Sequence, residues 1–198
     1  MTDKTNKTNG SGGLIPPHGG YRKLASYQSA EIVFDLNVEF CEKYLSNRTN
    51  RTYRSYRTYD QMIQAARSGK QNIAEGSVAS GTSKKTEIKL MNVARASLEE
   101  LLVDYQDFLR ANKLTLWDKS DPRVCAVRKL CYSSNRTCET YETYFGDAES
   151  AANILICLIH QTNFLLDRQI KSLESDFLKN GGFTENLYKK RVEYRKNN

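Results

Sequence analysis

The sequence predicts an all-α protein: an up-down-up-down four-helix bundle with a long structured connection between its third and fourth helices and a C-terminal suffix. Three observations predict it. Apolar residues recur every three or four positions over four long stretches, the spacing that aligns side chains on one helix face. The links between the first three stretches are short, as antiparallel neighbours require. No segment shows the period-two alternation of a half-buried strand. The 198 residues suit one domain with tails, and 39% hydrophobic against 27% charged residues suffices for one bundle core.

Residues 1–20 are polar and Gly-rich and are expected to form a disordered tail. The bundle is then expected over 21–179. Its first helix, over 24–46, carries Tyr27, Ala30, Phe34, Val38, Cys41 and Leu45 as a stripe that Val33, Leu36 and Phe40 widen. Residues 47–59 break the pattern and read as an interhelical loop. They hold Arg48, Arg51, Arg54 and Arg57 with no acid, interleaved with Tyr53, Tyr56 and Tyr59. The second helix is expected over 60–79, capped by Thr58 with Gln61 or by Asp60. Its apolar positions are Met62, Ala66, Ile73 and Val78, with Gly69 and Gly76 between them. Each glycine costs a helix about 1 kcal/mol relative to alanine, so a packing or functional reason for both is expected. Ser80-Gly81 ends the helix.

The third helix, over 83–112, has the cleanest stripe: Ile88, Met91, Ala94, Leu98, Leu101 or Leu102, Tyr105 and Phe108. Residues 113–146 are too long for a bare loop. Trp117 is expected to anchor them, with short helices from Asp121-Pro122 to Tyr132 and from Cys138 to Phe145. The fourth helix, over 148–178, carries Leu155, Leu158 or Ile159, Thr162, Leu165 or Leu166, Ile170, Leu173 and Phe177. From Ile154 to Ile159 it is apolar almost all round, which predicts burial both within the bundle and against another subunit. Gly181-Gly182 stops it. The suffix, 180–198, sets Lys189, Lys190, Arg191, Arg195 and Lys196 against Glu185 and Glu193, the composition of a basic arm or short docking helix.

The formal net charge of +7 favours an anionic partner, most simply RNA or DNA. Arg48, Arg51, Arg54, Arg57, Lys84, Lys85, Lys189, Lys190, Arg191 and Arg195 are the candidate phosphate contacts, with Tyr53 and Tyr56 placed to stack on bases. Lys84 and Lys85 fall in a helix's first turn, where the dipole disfavours cations, and an anion nearby would explain them. Arg67, Asn72, Glu75, Arg95, Glu99 and Glu100 lie on or near the inner faces of the second and third helices. They are expected to form a structural polar network that fixes register.

Signs of catalysis are scarce. The only histidines are His18, in the tail, and His160, expected to be a core or interface residue. There is no Glu-x-x-His and no HExxH, and the five cysteines include no CxxC pair and no neighbouring histidine. No metal and no cofactor are expected. Gly76 to Gly81 has P-loop glycine spacing, but Thr82 stands where the lysine is needed and a helix precedes it, not a strand. The longest apolar stretch, Ala151 to Ile159, is far short of the ~20 residues that span a bilayer. The N-terminus lacks a signal-peptide core, so a cytoplasmic location is expected.

Two runs, Asn72-Ile73-Ala74-Glu75-Gly76 and Ala94-Arg95-Ala96-Ser97-Leu98-Glu99-Glu100-Leu101, resemble the bacterial four-helix bundle family. That family includes proteins encoded in intervening sequences of large-subunit ribosomal RNA genes and accessory variability determinants of diversity-generating retroelements. The ending from Gly181-Gly182-Phe183-Thr184-Glu185 to Arg191 is similar to that of four helix bundle suffix domain-containing proteins. The resemblance covers roughly residues 21–195. It implies the bundle, a ring-shaped homopentamer, nucleic-acid binding and association with a reverse transcriptase, and it supplies no catalytic residues. The tyrosine–arginine stretch, the long connection and the basic suffix depart from those relatives. The expected function is therefore a non-enzymatic, homo-oligomeric, nucleic-acid-associated accessory protein. The alternative is a protein-binding scaffold acting through the fourth helix and the suffix.

Overall fold

A computed structural model describes residues 14–46, 53–133 and 136–197, without the side chains of 53–56. Every element among the described residues is helical. In chain order they are α1 (Ala25–Phe40), α2 (Tyr53–Ala79), α3 (Lys84–Ala111), α4 (Pro122–Leu130), α5 (Ala148–Asn180) and α6 (Phe183–Lys196). A 3₁₀ turn (Tyr21–Lys23) precedes α1, a π turn (Cys41–Leu45) prolongs it, and a 3₁₀ segment (Cys138–Tyr144) precedes α5.

Local chemistry sets the ends. The Ser83 hydroxyl accepts from Thr86 N at 3.1 Å, and Asp147 Oδ1 accepts from Ser150 N at 2.8 Å, so each satisfies an orphan amide at a helix start. Asp121 caps α4, where Pro122 occupies the first turn and forfeits no bond. Gly181 ends α5 at φ +70°, and any Cβ there would run into the Glu185 carboxylate.

The four long helices pack in a closed cycle, α1 on α2, α2 on α3, α3 on α5 and α5 on α1. Neighbours in the cycle run antiparallel. Gly19 N donates to Ser77 O at 3.1 Å, bringing the start of α1 to the end of α2. Lys84, in the first turn of α3, pairs with Asp176 near the end of α5 at 3.7 Å. The Tyr44 hydroxyl donates to Phe145 O at 2.7 Å, joining the far end of α1 to the approach to α5. Inside, Phe40 meets Tyr105 and Phe108 edge-on at centroid distances of 4.9 and 5.0 Å. The α2 glycines have packing reasons. A Cβ at Gly69 would lie 2.8 Å from both Cγ and Cδ2 of Leu98, so the glycine lets α2 and α3 close together.

Four expectations change. First, α2 begins at Tyr53, so residues 53–59 are helix and not loop, and Asp60 lies inside the helix instead of capping it. Second, the buried face of α1 is turned from the expected stripe. Ser26, Ser29, Ala30, Val33, Leu36, Asn37 and Phe40 are buried, while Tyr27, Phe34 and Val38 are only partly covered. Buried polar residues shifted the face. Ser26 donates to Gln169 at 2.6 Å, Ser29 and Thr162 share a 2.7 Å bond, and Tyr105 OH donates to Asn37 Oδ1 at 2.7 Å. Third, the second covering layer over Ile154–Ile159 is the chain's own connection. Trp117, Val124, Val127, Cys131, Tyr141 and Phe145 join that stretch in one core, so no second subunit is needed there. Fourth, part of the expected tail is ordered against the α2–α3 turn through Gly19, and Val78 points outward while Ser77 is buried.

The remaining elements follow expectation. Trp117 does anchor the connection: its N–H donates to Asn153 Oδ1 at 2.8 Å and its Nε1–H to Glu149 at 3.2 Å. The suffix is a helix. No helix among the described residues is long and apolar enough to cross a membrane.

Candidate nucleic-acid interface

The expected phosphate contacts do not form one patch. Arg48 and Arg51 lie outside the described residues. Tyr53, Arg54 and Tyr56 fall in the first turn of α2 and Arg57 is exposed just after it, at the end of the cycle where α1 finishes and α5 starts. Lys84, Lys85, Lys189, Lys190, Arg191 and Arg195 belong to the opposite end, where α3 starts and α5 finishes. At ~1.5 Å per residue, α2 carries the chain about 33 Å from Arg57 to its last residue. One short ligand cannot touch both groups.

The two ends differ in quality. Arg57 opens on a shallow groove of about 520 Å³ that it shares with Asp60, Ser68, Ser97 and Glu100, so carboxylates face the same space. Lys84 is committed internally. It bonds Glu87 at 3.1 Å and reaches Asp176, because Glu87 is buried and needs a counter-charge. Burial raises the Glu87 pKa, and the Lys84 bond works against that rise. Lys85 is exposed beside it.

Helix α6 is different in kind. None of its residues is fully buried, and among the described residues it makes no extensive packing against another helix. Lys189, Lys190, Arg191 and Arg195 are all exposed, as are Tyr188 and Tyr194, each at 70%. In helical register Thr184, Tyr188, Arg191 and Arg195 share one face, while Glu185, Lys189 and Glu193 share another. The arginine face is therefore free of acids within the helix.

The expected polar network is split by helical phase. Arg67, Glu75 and Glu100 face solvent, because the buried positions of α2 and α3 lie on other faces. Asn72 donates to the Ser68 carbonyl at 2.8 Å, and Ser68 shares a 2.9 Å bond with Ser97 across the α2–α3 seam. Arg95 and Glu99 work at the α3–α5 seam. Arg95 Nε donates to Asp167 at 2.6 Å, its guanidinium lies 3.8 Å from Glu99, and Asn163 donates to Glu99 at 3.2 Å. These bonds set register between helices, but as two seams rather than one buried row.

Sequence reasoning missed a groove of about 1250 Å³ between α1, α4 and α5. Lys119, Arg128, Arg136, Arg168 and His160 line it, with Glu31 as its one acid. Its mouth holds Leu116 (52% exposed), Phe164 (57%) and Tyr132 (84%). His160 is thus a groove residue and not a core one. Partial desolvation in the mouth lowers its pKa; Glu99 opposes the shift, and Lys119 and Arg128 add to it. The cations come from α4, α5 and the connecting loops, so no local run announces them. The only trace in the sequence is that the connection carries arginines without acids at i+4.

No family model, curated protein or solved structure matches the chain.

Proposed function

We propose that this chain is a non-enzymatic accessory protein that binds RNA or DNA, acts as a homo-oligomer in the cytoplasm, and has the up-down-up-down four-helix bundle of the family that its second and third helices resemble. On that resemblance the oligomer is a pentamer, and a reverse transcriptase is a further partner. The closed antiparallel cycle of α1, α2, α3 and α5 supports the bundle. One observation carries the nucleic-acid reading: α6, a helix without a buried residue, presents Arg191 and Arg195 beside Tyr188 on a face with no acid of its own. A helix with no fully buried residue contributes little to folding, and guanidinium beside phenol suits phosphate and base together.

The test compares the full chain with a variant carrying Gln at Lys189, Lys190, Arg191 and Arg195. Fluorescence anisotropy with labelled duplex DNA and an RNA hairpin is measured over a salt series. Affinity is expected to fall for both probes, and the slope of log K against log salt on DNA to shrink by about 0.9 for each phosphate the variant no longer neutralises. An unchanged slope removes α6 from the mechanism.

A scaffold role has its own support. Leu178 is 84% exposed beside Phe177 at the α5–α6 junction, an apolar spot suited to a protein chain. That reading predicts oligomers whose mass by light scattering survives nuclease treatment. A strictly monomeric chain at micromolar concentration counts against it.

A further inference from the structure

We infer that the groove between α1, α4 and α5 is a binding site for single-stranded nucleic acid, with Lys119, Arg128, Arg136 and Arg168 on the phosphates and Phe164 and Tyr132 stacking on bases. This rests on the nucleic-acid reading above and narrows it to a strand form and a place.

Three features carry the inference. The first is uncompensated charge. None of the four cations enters an ion pair among the described residues, whereas Lys84, Arg95, Arg110 and Arg123 all do. The second is pre-organisation. Arg128 donates to the Lys119 carbonyl at 3.1 Å and Arg136 to the Cys131 carbonyl at 2.6 Å, so neutral acceptors hold both guanidiniums without cancelling their charge. The third is the exposed aromatics. Phe164 and Tyr132 face solvent in the same concavity, and the Arg168 guanidinium carbon lies 5.9 Å from the Phe164 ring centre.

Size and charge select the occupant. At about 1250 Å³ the groove exceeds the ~300–1,000 Å³ of small-molecule pockets, which favours a polymer segment. Inside the groove four cations face a single acid, Glu31, a lining that favours a polyanion as the occupant. Stacking requires unpaired bases, so the strand is single.

The experiment uses the full chain with a labelled oligothymidylate of roughly a dozen nucleotides and a duplex of the same length. Phe164→Ala should weaken oligothymidylate binding roughly tenfold and leave duplex binding unchanged. Changing Arg128, Arg136 and Arg168 together to Gln should lower the single-strand salt slope by about 2, while the triple Lys variant keeps it. Should the triple Gln variant misfold, Phe164→Ala and Arg168→Gln, both at exposed residues, carry the same test. Wild-type binding by the groove variants, with binding of both probes abolished only in the α6 variant, overturns the groove and spares the nucleic-acid reading. Failure of the wild-type chain to bind any probe overturns both. A triple Gln variant that drops in oligomer mass yet still binds oligothymidylate assigns the groove to a second copy and overturns the inference.

Discussion

Replacing Gly69 by alanine separates helix propensity from packing. Propensity alone makes Gly69→Ala stabilising by about 1 kcal/mol. The structure reverses the sign. The new Cβ would sit 2.8 Å from Leu98 Cγ as well as Cδ2, against the ~3.5–4.0 Å that carbon atoms prefer. Leu98 is fully buried, and its branch carbon moves only if the helices part. Overpacking of this kind costs ~1–3 kcal/mol. At the middle of that range, about 2 kcal/mol, the net is a loss of about 1 kcal/mol, or roughly 2–4 °C in Tm for a chain of this size. Gly76 is the control. A Cβ there meets Met91 Cε at 3.1 Å, the end of a flexible side chain, and Glu87 O and Leu90 Cβ at 3.3 Å, so Gly76→Ala should be near neutral. In a Leu98→Ala background the clash is gone, and Gly69→Ala should stabilise by about 1 kcal/mol, giving a coupling of about 2 kcal/mol. Urea and thermal unfolding followed by far-UV circular dichroism measure all four corners of the cycle. A Gly69→Ala variant that stabilises equally in both backgrounds would refute the close approach of α2 and α3.

Burial raises the Asp104 pKa to about 6, and the neighbouring charges of Glu100 and Asp107 add to the rise. Its proton is then held more tightly in the folded chain than in the unfolded one, so the stabilisation it brings is full below pH ~4 and lost as pH rises through about 6. Asp104→Asn should therefore stabilise the protein at pH 7 by on the order of 1 kcal/mol after allowance for partial exposure, and flatten the stability curve between those limits. Tyr105→Phe removes the donor to buried Asn37 Oδ1 and should cost ~1–2 kcal/mol by urea unfolding. Cys125 is exposed, whereas burial raises the pKa of Cys41 to about 12 and of Cys157 to about 11. Timed labelling with a thiol reagent at neutral pH should find Cys125 reacting first and those two last.

Sequence alone determined what depends on nearest neighbours along the chain. The helical stripes, the Asp121-Pro122 start of α4 and the stop at Gly181 are all set by side chains within a few residues of each other, where periodicity and capping act. The folded chain decided what depends on distant residues meeting. Ser26, Ser29 and Asn37 stand outside the expected apolar stripe because they are polar, yet Gln169, Thr162 and Tyr105, each far along the chain, satisfy them in the core. The apolar collar of α5 read as an interface because nothing in its own stretch reveals that the connection folds back over it. The candidate site divided the same way. The exposed basic face of α6 was visible as composition, while the groove draws its cations from separate elements whose charges approach one another only after the helices have packed. Burial and electrostatics act through space, and one-dimensional spacing records them only where the chain is locally regular.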